Sequence, residues 1–154
     1  MFFSLLNCVS PFLAFRRNMQ VLAMADLSAS QSRKPRILIV DDSPDVAMTM
    51  TMLVKTFGYE AAQAHSGWAA IESARQQRPD IVFLDIGLPD MTGYDVAERI
   101  RNELGLEHSV LIALSGFDQD EDRLAAAGFN RHVVKPVPVA ALKQLLNEYS
   151  TVRS

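Results

Sequence analysis

The chain has 154 residues, of which 49% are hydrophobic and 21% charged, with a formal net charge of -3. That is the make-up of a soluble globular protein with one sizeable core, and it supplies no basic field for gripping a phosphate backbone, which sets direct nucleic-acid binding aside. The single cysteine, Cys8, cannot close an intramolecular disulfide and fits a reducing, cytoplasmic compartment, while His65, His108 and His132 lie too far apart for helical zinc-ligand spacing.

The chain opens with "MFFSLLNCVSPFLAF", an apolar run ended by Arg16 and Arg17. A spanning helix needs about 20 apolar residues, and a secretory signal carries its positive charge before the apolar stretch rather than after it. The polar, small-residue stretch "ADLSASQSRKP" then reads as a linker, and Met19 and Met24 offer later starts. Residues 1–34 are therefore expected to be a disordered extension or an upstream mis-start with no membrane anchor. Residues 35–150 are expected to form the folded domain, and 151–154 a short tail.

From Arg36 onward, short β-branched runs alternate with stretches of helical periodicity. The first run, "RILIV", ends at Asp41 and Asp42. Ser43 then reads as a helix N-cap with Pro44 in the first turn, and Val46, Met50, Leu53, Val54 and Phe57 recur at helical spacing up to Gly58. A weaker strand spans Tyr59 to Ala64, and Ser66 caps a second helix that stops before Pro79. "DIVFL" (Asp80 to Leu84) precedes Asp85. A third helix runs from about Gly93 to Glu103, burying Val96, Ala97, Ile100 and Leu104.

"VLIAL" (Val110 to Leu114) precedes Ser115, and a fourth helix covers about Gln119 to Ala127, stopped by Gly128. "HVV" (His132 to Val134) precedes Lys135. The last helix begins near Pro138 with Leu142, Leu145, Leu146 and Tyr149 along one side. Five strands alternating with five helices, the strands apolar on both faces, predict an open, doubly wound α/β fold around a parallel sheet.

In such a sheet, ligands bind in the crevice outside the carboxyl ends of the strands. Asp41, Asp42, Asp85, Ser115 and Lys135 all follow strands there. Two unit charges about 5 Å apart cost about 3 kcal/mol at an effective dielectric of about 20. Lys135 offsets part of that repulsion, and a divalent cation would offset more. Carboxylate-rich oxygen sites with room for water suit Mg2+. The plainer reading, that the paired aspartates merely cap a helix, is weakened because Ser43 already occupies the capping position.

The stretches "ILIVDDSPD", "DIVFLDIGLPDMTGYDVAERIR", "LIALSG" and "HVVKPV" resemble, in order, the motifs of the receiver domain of two-component response regulators. The resemblance covers Arg36 to about Tyr149. It implies the flavodoxin-like strand order 2-1-3-4-5 and a signalling domain in a phosphorelay, catalysing only its own phosphoryl transfer and dephosphorylation. A histidine kinase or histidine phosphotransfer protein would be the donor, Mg2+ the cofactor, and an unidentified protein the downstream target, with no nucleic acid or membrane contacted directly.

Carried over residue by residue, the resemblance makes Asp85 the phosphoacceptor, with Lys135 and Ser115 contacting phosphoryl oxygens. Asp42 would ligate Mg2+ directly and Asp41 largely through water, with Asp85 and the Gly87 carbonyl completing the protein ligands. Gly116 would leave room for the phosphate, Pro136 would follow a cis peptide, and Pro89 and Gly93 would shape the loop beside Asp85. Gly87 and Phe117 would influence the acyl-phosphate lifetime. The single tryptophan, Trp68, reads as packing on the second helix.

The chain departs from the pattern at His132, where the family usually carries tyrosine or phenylalanine. In the usual scheme, Ser or Thr moves toward the phosphate and that ring swings inward. A planar histidine can still serve a switch of Ser115 and His132, but it prefers hydration and titrates near neutrality, so a solvated strand residue stays open as the second reading.

Two other classes compete. Haloacid-dehalogenase-like phosphatases also place a nucleophilic aspartate after a strand, but need a second aspartate two positions on. Here Ser43 stands two beyond Asp41 and Pro44 two beyond Asp42, and the last helix offers only Glu148 for a late acidic pair. An unphosphorylated adaptor with the same fold is the other class, against which the complete set of acids, hydroxyl and lysine argues. The few residues after the last helix predict a single-domain receiver without an attached output domain.

Overall fold

The computed structural model describes residues 33–151. The expected extension, except Arg33 and Lys34, lies outside the described residues, as do Cys8 and the last three residues of the expected tail. The elements run β1 (Arg36–Val40), α1 (Pro44–Thr56), β2 (Glu60–Ala64), α2 (Gly67–Gln77), β3 (Ile81–Asp85), α3 (Gly93–Asn102), β4 (Val110–Ser115), α4 (Glu121–Ala126), β5 (Arg131–Val134) and α5 (Val139–Thr151). All neighbouring strands pair in parallel, in the order β2-β1-β3-β4-β5. This is the doubly wound parallel sheet that the alternation predicts, in the flavodoxin-like strand order that the resemblance implies.

Strand side chains alternate between the two faces of the sheet, and each face receives its own helix layer. Leu38, Val40, Val82, Leu84, Leu111 and Ala113 pack with Ile71 of α2, Ile100 of α3 and Leu124 of α4. Ile37, Ile39, Ile81, Phe83, Ile112 and Leu114 pack on the other face with Val54 of α1 and with Leu142 and Leu146 of α5. Burial of each such large side chain contributes about 1.5–3 kcal/mol. The edge strands β2 and β5 keep exposed positions at Glu60, Gln63, Arg131 and Val134, because each has a neighbour on one side only.

Local chemistry explains the boundaries and corrects several expectations. Ser43 is the N-cap residue of α1 and Pro44 occupies the first turn, but the Ser43 side chain makes no capping bond. Its backbone N–H instead donates to Asp41 Oδ1 at 2.9 Å. The buried positions of α1 are Ala47, Met50, Thr51 and Val54, whereas Val46 is exposed. Small Ala47 faces the sheet and larger Leu53 and Phe57 close the margin of the layer. In α2, Ser66 Oγ does cap, accepting from the Ala69 N–H at 3.2 Å, and Arg78 in the left-handed region ends the helix before Pro79. Helix α4 starts at Glu121 rather than Gln119, because the Asp120 carboxylate takes the N-cap position and accepts from the Asp122 and Arg123 N–H groups.

Candidate functional site

The sheet order places β1 beside β3 and β3 beside β4, so the residues that follow these strands meet at one edge. Helix α1 leaves β1 on one face of the sheet while α3 leaves β3 on the other, which opens a crevice where the strand order reverses. Asp41 is fully buried, Asp85 is nearly so, and Asp42 is exposed. Each offers a carboxylate oxygen, and these three oxygens lie within 4.8 Å of one another.

One ammonium serves two of the acids. Lys135 Nζ donates to Asp41 Oδ2 at 3.0 Å and to Asp85 Oδ2 at 2.9 Å. Burial works against the charge on Lys135, but the hydrogen bonds and negative charges of Asp85 and Asp41 outweigh it and hold the ammonium above the usual lysine pKa. The backbone N–H of Lys135 donates to the Ser115 carbonyl, and the Lys135–Pro136 peptide is cis, as the resemblance implies.

The arrangement changes the electrostatic expectation. Three equally crowded carboxylates do not occur: Asp42 keeps its hydration, and the two buried acids share Lys135. The repulsion left for a cation to relieve is therefore smaller than the pairwise sum, since exposed charges are screened by solvent.

The remaining oxygen of Asp85 is also held. Oδ1 accepts from the Gly87 N–H at 3.0 Å, which fixes the plane of the carboxylate. The loop carrying Gly87 folds back on the strand, with a bridge between Gly87 and Thr92 and the Gly93 N–H donating to the Ile86 carbonyl at 2.8 Å. Gly93 is required here by close approach, because a Cβ would lie 2.5 Å from the Asp85 carbonyl oxygen and 2.7 Å from Ile86 Cα. Gly116 differs, since a Cβ there would meet no atom within 4 Å.

Three further residues, Asp90, Thr92 and Asp95, tie this loop down, and sequence reasoning missed all of them. Asp90 accepts from the Gly67 N–H at 2.8 Å and from the Trp68 N–H at 3.0 Å, so it caps α2 from another part of the chain. These two backbone donors hold its carboxyl below the usual range. Thr92 and Asp95 form a capping box at the start of α3, which likewise lowers the Asp95 pKa, chiefly through the Thr92 hydroxyl. The capping box was legible as T-x-x-D. The role of Asp90 was not, because its partners lie 22 and 23 residues away. Trp68 itself is exposed, with the Arg99 guanidinium 4.8 Å from the ring centroid.

Ser115 and His132 meet directly. Ser115 Oγ lies 2.8 Å from His132 Nε2, across the pairing of β4 with β5, and its hydroxyl also donates to the Phe117 carbonyl. His132 is half-buried, so it is more than a solvated strand residue. It also lines a surface cavity of about 370 Å³ with Leu124, Phe129 and Arg131. Phe117 is 73% exposed and available to contact whatever approaches the crevice.

The family model of the response regulator receiver domain matches residues 37–147. The chain belongs to that family, the receiver domains of two-component systems. The chain is 41% identical over 106 residues to the probable transcriptional regulatory protein TcrX of Mycobacterium tuberculosis, covering 67% of this chain and 44% of TcrX. It is 29% identical to the polar-differentiation response regulator DivK of Brucella anthropi, over 73% of this chain and 94% of that protein. The chain thus spans less than half the length of TcrX but nearly all of DivK.

Solved structures agree on the fold. The chemotaxis protein CheY4 of Vibrio cholerae superposes with a TM-score of 0.72 at 24% identity, covering 76% of this chain and 99% of that one. The receiver domain of the sensor histidine kinase PA1611 of Pseudomonas aeruginosa, which holds a magnesium ion in its active-site cleft, gives a TM-score of 0.68 at 28% identity, covering 76% of this chain and 98% of that one.

Proposed function

We propose that this receiver domain accepts a phosphoryl group on Asp85 from a phosphohistidine, carried by a histidine kinase or a histidine phosphotransfer protein. A carboxylate oxygen of Asp85 attacks phosphorus, the phosphorus–nitrogen bond breaks, and the departing imidazole takes a proton from solvent, leaving an acyl phosphate. Such transfer needs positioning and charge neutralisation more than covalent help. One observation carries the reading: Asp41 and Asp85 are bridged by Lys135 beside exposed Asp42, at the edge where the strand order reverses.

The residues fit a magnesium ion. All three carboxylates are hard oxygen donors, and exposed Asp42 leaves the cluster open to the waters that Mg2+ retains. The PA1611 receiver, with its magnesium, supports this assignment. Asp42, Asp41 and Asp85 would hold the ion, with the Gly87 carbonyl as a further ligand. When bound, it supplies neutralisation of the carboxylates and of the phosphoryl oxygens.

The chain's own groups do the rest. The Gly87 N–H fixes the plane of Asp85, Lys135 is placed to contact one phosphoryl oxygen, and the Ser115 hydroxyl is the donor for another. The protein acts as a signalling domain in the cytoplasm, reading out through contacts with another protein. Among the described residues no helix is long and apolar enough to cross a membrane.

Incubation with acetyl phosphate, with and without Mg2+, followed by intact mass measurement tests the reading. One added phosphoryl group is expected only with Mg2+, and none in Asp85→Asn. A wild-type protein that stays unlabelled would favour the adaptor reading, and steady turnover of a generic phosphate ester would favour a phosphatase.

A further inference from the structure

A serine hydroxyl has one proton to donate, and a backbone carbonyl can only accept. The Ser115 hydroxyl donates to the Phe117 carbonyl, so its proton is committed there. The contact at 2.8 Å between Ser115 Oγ and His132 Nε2 must then run the other way, with the imidazole N–H donating to the serine oxygen. This count assigns the ring the Nε2–H tautomer. It also means that the histidine does not compete for the serine proton.

We infer that His132 is a positioning residue for the phosphoryl site: its Nε2–H holds Ser115 Oγ in place, so that the hydroxyl proton is free to turn from the Phe117 carbonyl to a phosphoryl oxygen on Asp85. This inference rests on the proposed phosphorylation of Asp85. The geometry favours a fixed role. β4 and β5 pair in parallel with Leu114 opposite Val133 and Ser115 opposite Val134, so the ring and the hydroxyl are carried by adjoining hydrogen-bonded strands. The Lys135 N–H donates to the Ser115 carbonyl at 2.6 Å, which anchors the backbone of the same serine.

Turning the hydroxyl removes the Ser115 donor from the Phe117 carbonyl and leaves it only the long bond from the Gln119 amide at 3.5 Å. The segment that carries exposed Phe117 then loses a tether, while the serine oxygen keeps its bond to His132. A phenyl ring at this position could fill the space but could not hold the oxygen. The imidazole holds it in both of its protonation states, because Nε2 carries a proton in the imidazolium as well.

Two measurements test this. Long-range proton–nitrogen NMR of the wild-type protein should show the neutral His132 ring protonated at Nε2, and a ring protonated at Nδ1 would overturn the inference. Labelling of Asp85 by acetyl phosphate with Mg2+ should slow about three- to tenfold in His132→Phe and His132→Asn, the size set by one neutral hydrogen bond. His132→Gln, whose amide nitrogen takes the place of Nε2, should recover the rate to within about twofold.

In a Ser115→Ala background the same His132 substitutions should have no further effect. Unchanged rates in His132→Phe and His132→Asn, or losses that add to that of Ser115→Ala, would reject the positioning role while leaving Asp85 as phosphoacceptor. A wild type that takes no label would reject both.

Discussion

At the amino end of the sheet, charged and polar side chains finish the strands; at the carboxyl end, the same residue types remain poised. Asp80 accepts from the Arg36 N–H at 2.7 Å, and the Ser109 hydroxyl donates to the Pro79 carbonyl at 2.6 Å. The Arg101 guanidinium donates to the carbonyls of Leu106, Ser109 and Gly128 and to Asn130 Oδ1, at 2.6 to 3.1 Å. Burial pushes the Arg101 pKa down, yet the carbonyl oxygens around it receive its donors. Across the sheet, two buried carboxylates share a single ammonium and the third stands in solvent. A polar cluster whose donors find acceptors, as around Arg101, fastens a fold, whereas one with surplus negative oxygen is ready for a cation and a transferable group.

The largest expected effect, matched only by loss of Lys135, comes from breaking the fastened end. Arg101→Met should lower unfolding free energy by about 2–3 kcal/mol, because several part-buried carbonyls lose their donor together. Urea titration reads this, and the rate of Asp85 labelling should change by less than about twofold, since Arg101 lies at the opposite edge. A labelling defect as severe as that of Lys135→Met would erase the division between the two ends.

Lys135→Met should cost about 2–3 kcal/mol at neutral pH, somewhat less than a fully buried pair loses, since the lysine side chain is 27% exposed. It should also abolish most labelling. The Lys135 pKa is raised in the folded state, so its contribution is complete below the ordinary lysine value of 10.5 and is lost as pH rises through the folded value. Urea midpoints of wild type and variant should therefore converge as the pH is carried into strong base.

Asp42→Asn should weaken Mg2+ binding and raise metal-free stability by less than about 1 kcal/mol, because Asp42 is already hydrated. Thermal melts with and without Mg2+ check both halves, and a lower metal-free melting point would contradict the charge surplus. The smallest effect is expected for Asp90→Asn, which loses a carboxylate that accepts two N–H groups of α2. Its pKa is depressed, so its contribution is present above the ordinary carboxyl value of 3.8 and is lost as pH falls through the folded value. Comparing denaturation midpoints at neutral and acidic pH should show the gap closing in acid.

Much of the fold was legible because the β-branched runs and their stop signals are local. Asp85, Ser115 and Lys135 were legible for the same reason, since each directly follows an apolar run. Ser43 takes the N-cap position its sequence context predicts, but its hydroxyl makes no capping bond, a detail that side-chain preference alone does not fix. The stripe on α1 shifted to Ala47 because the buried face depends on how closely the helix approaches the sheet. Asp90, the Ser115–His132 pair and the bonds of Arg101 to Gly128 and Asn130 span 17 to 29 residues, beyond any local pattern.

By itself the sequence determined the alternation of strand and helix, the two-sided burial of the sheet and the set of polar residues at the strand ends, because side-chain periodicity and turn chemistry act over a few residues. The tertiary structure decided which acids are buried, that one ammonium serves two of them, and that an imidazole nitrogen meets the serine oxygen. Those outcomes depend on strand order and parallel register, which bring chain segments far apart in sequence to within hydrogen-bonding distance, where a few tenths of an ångström set the strength of a polar contact.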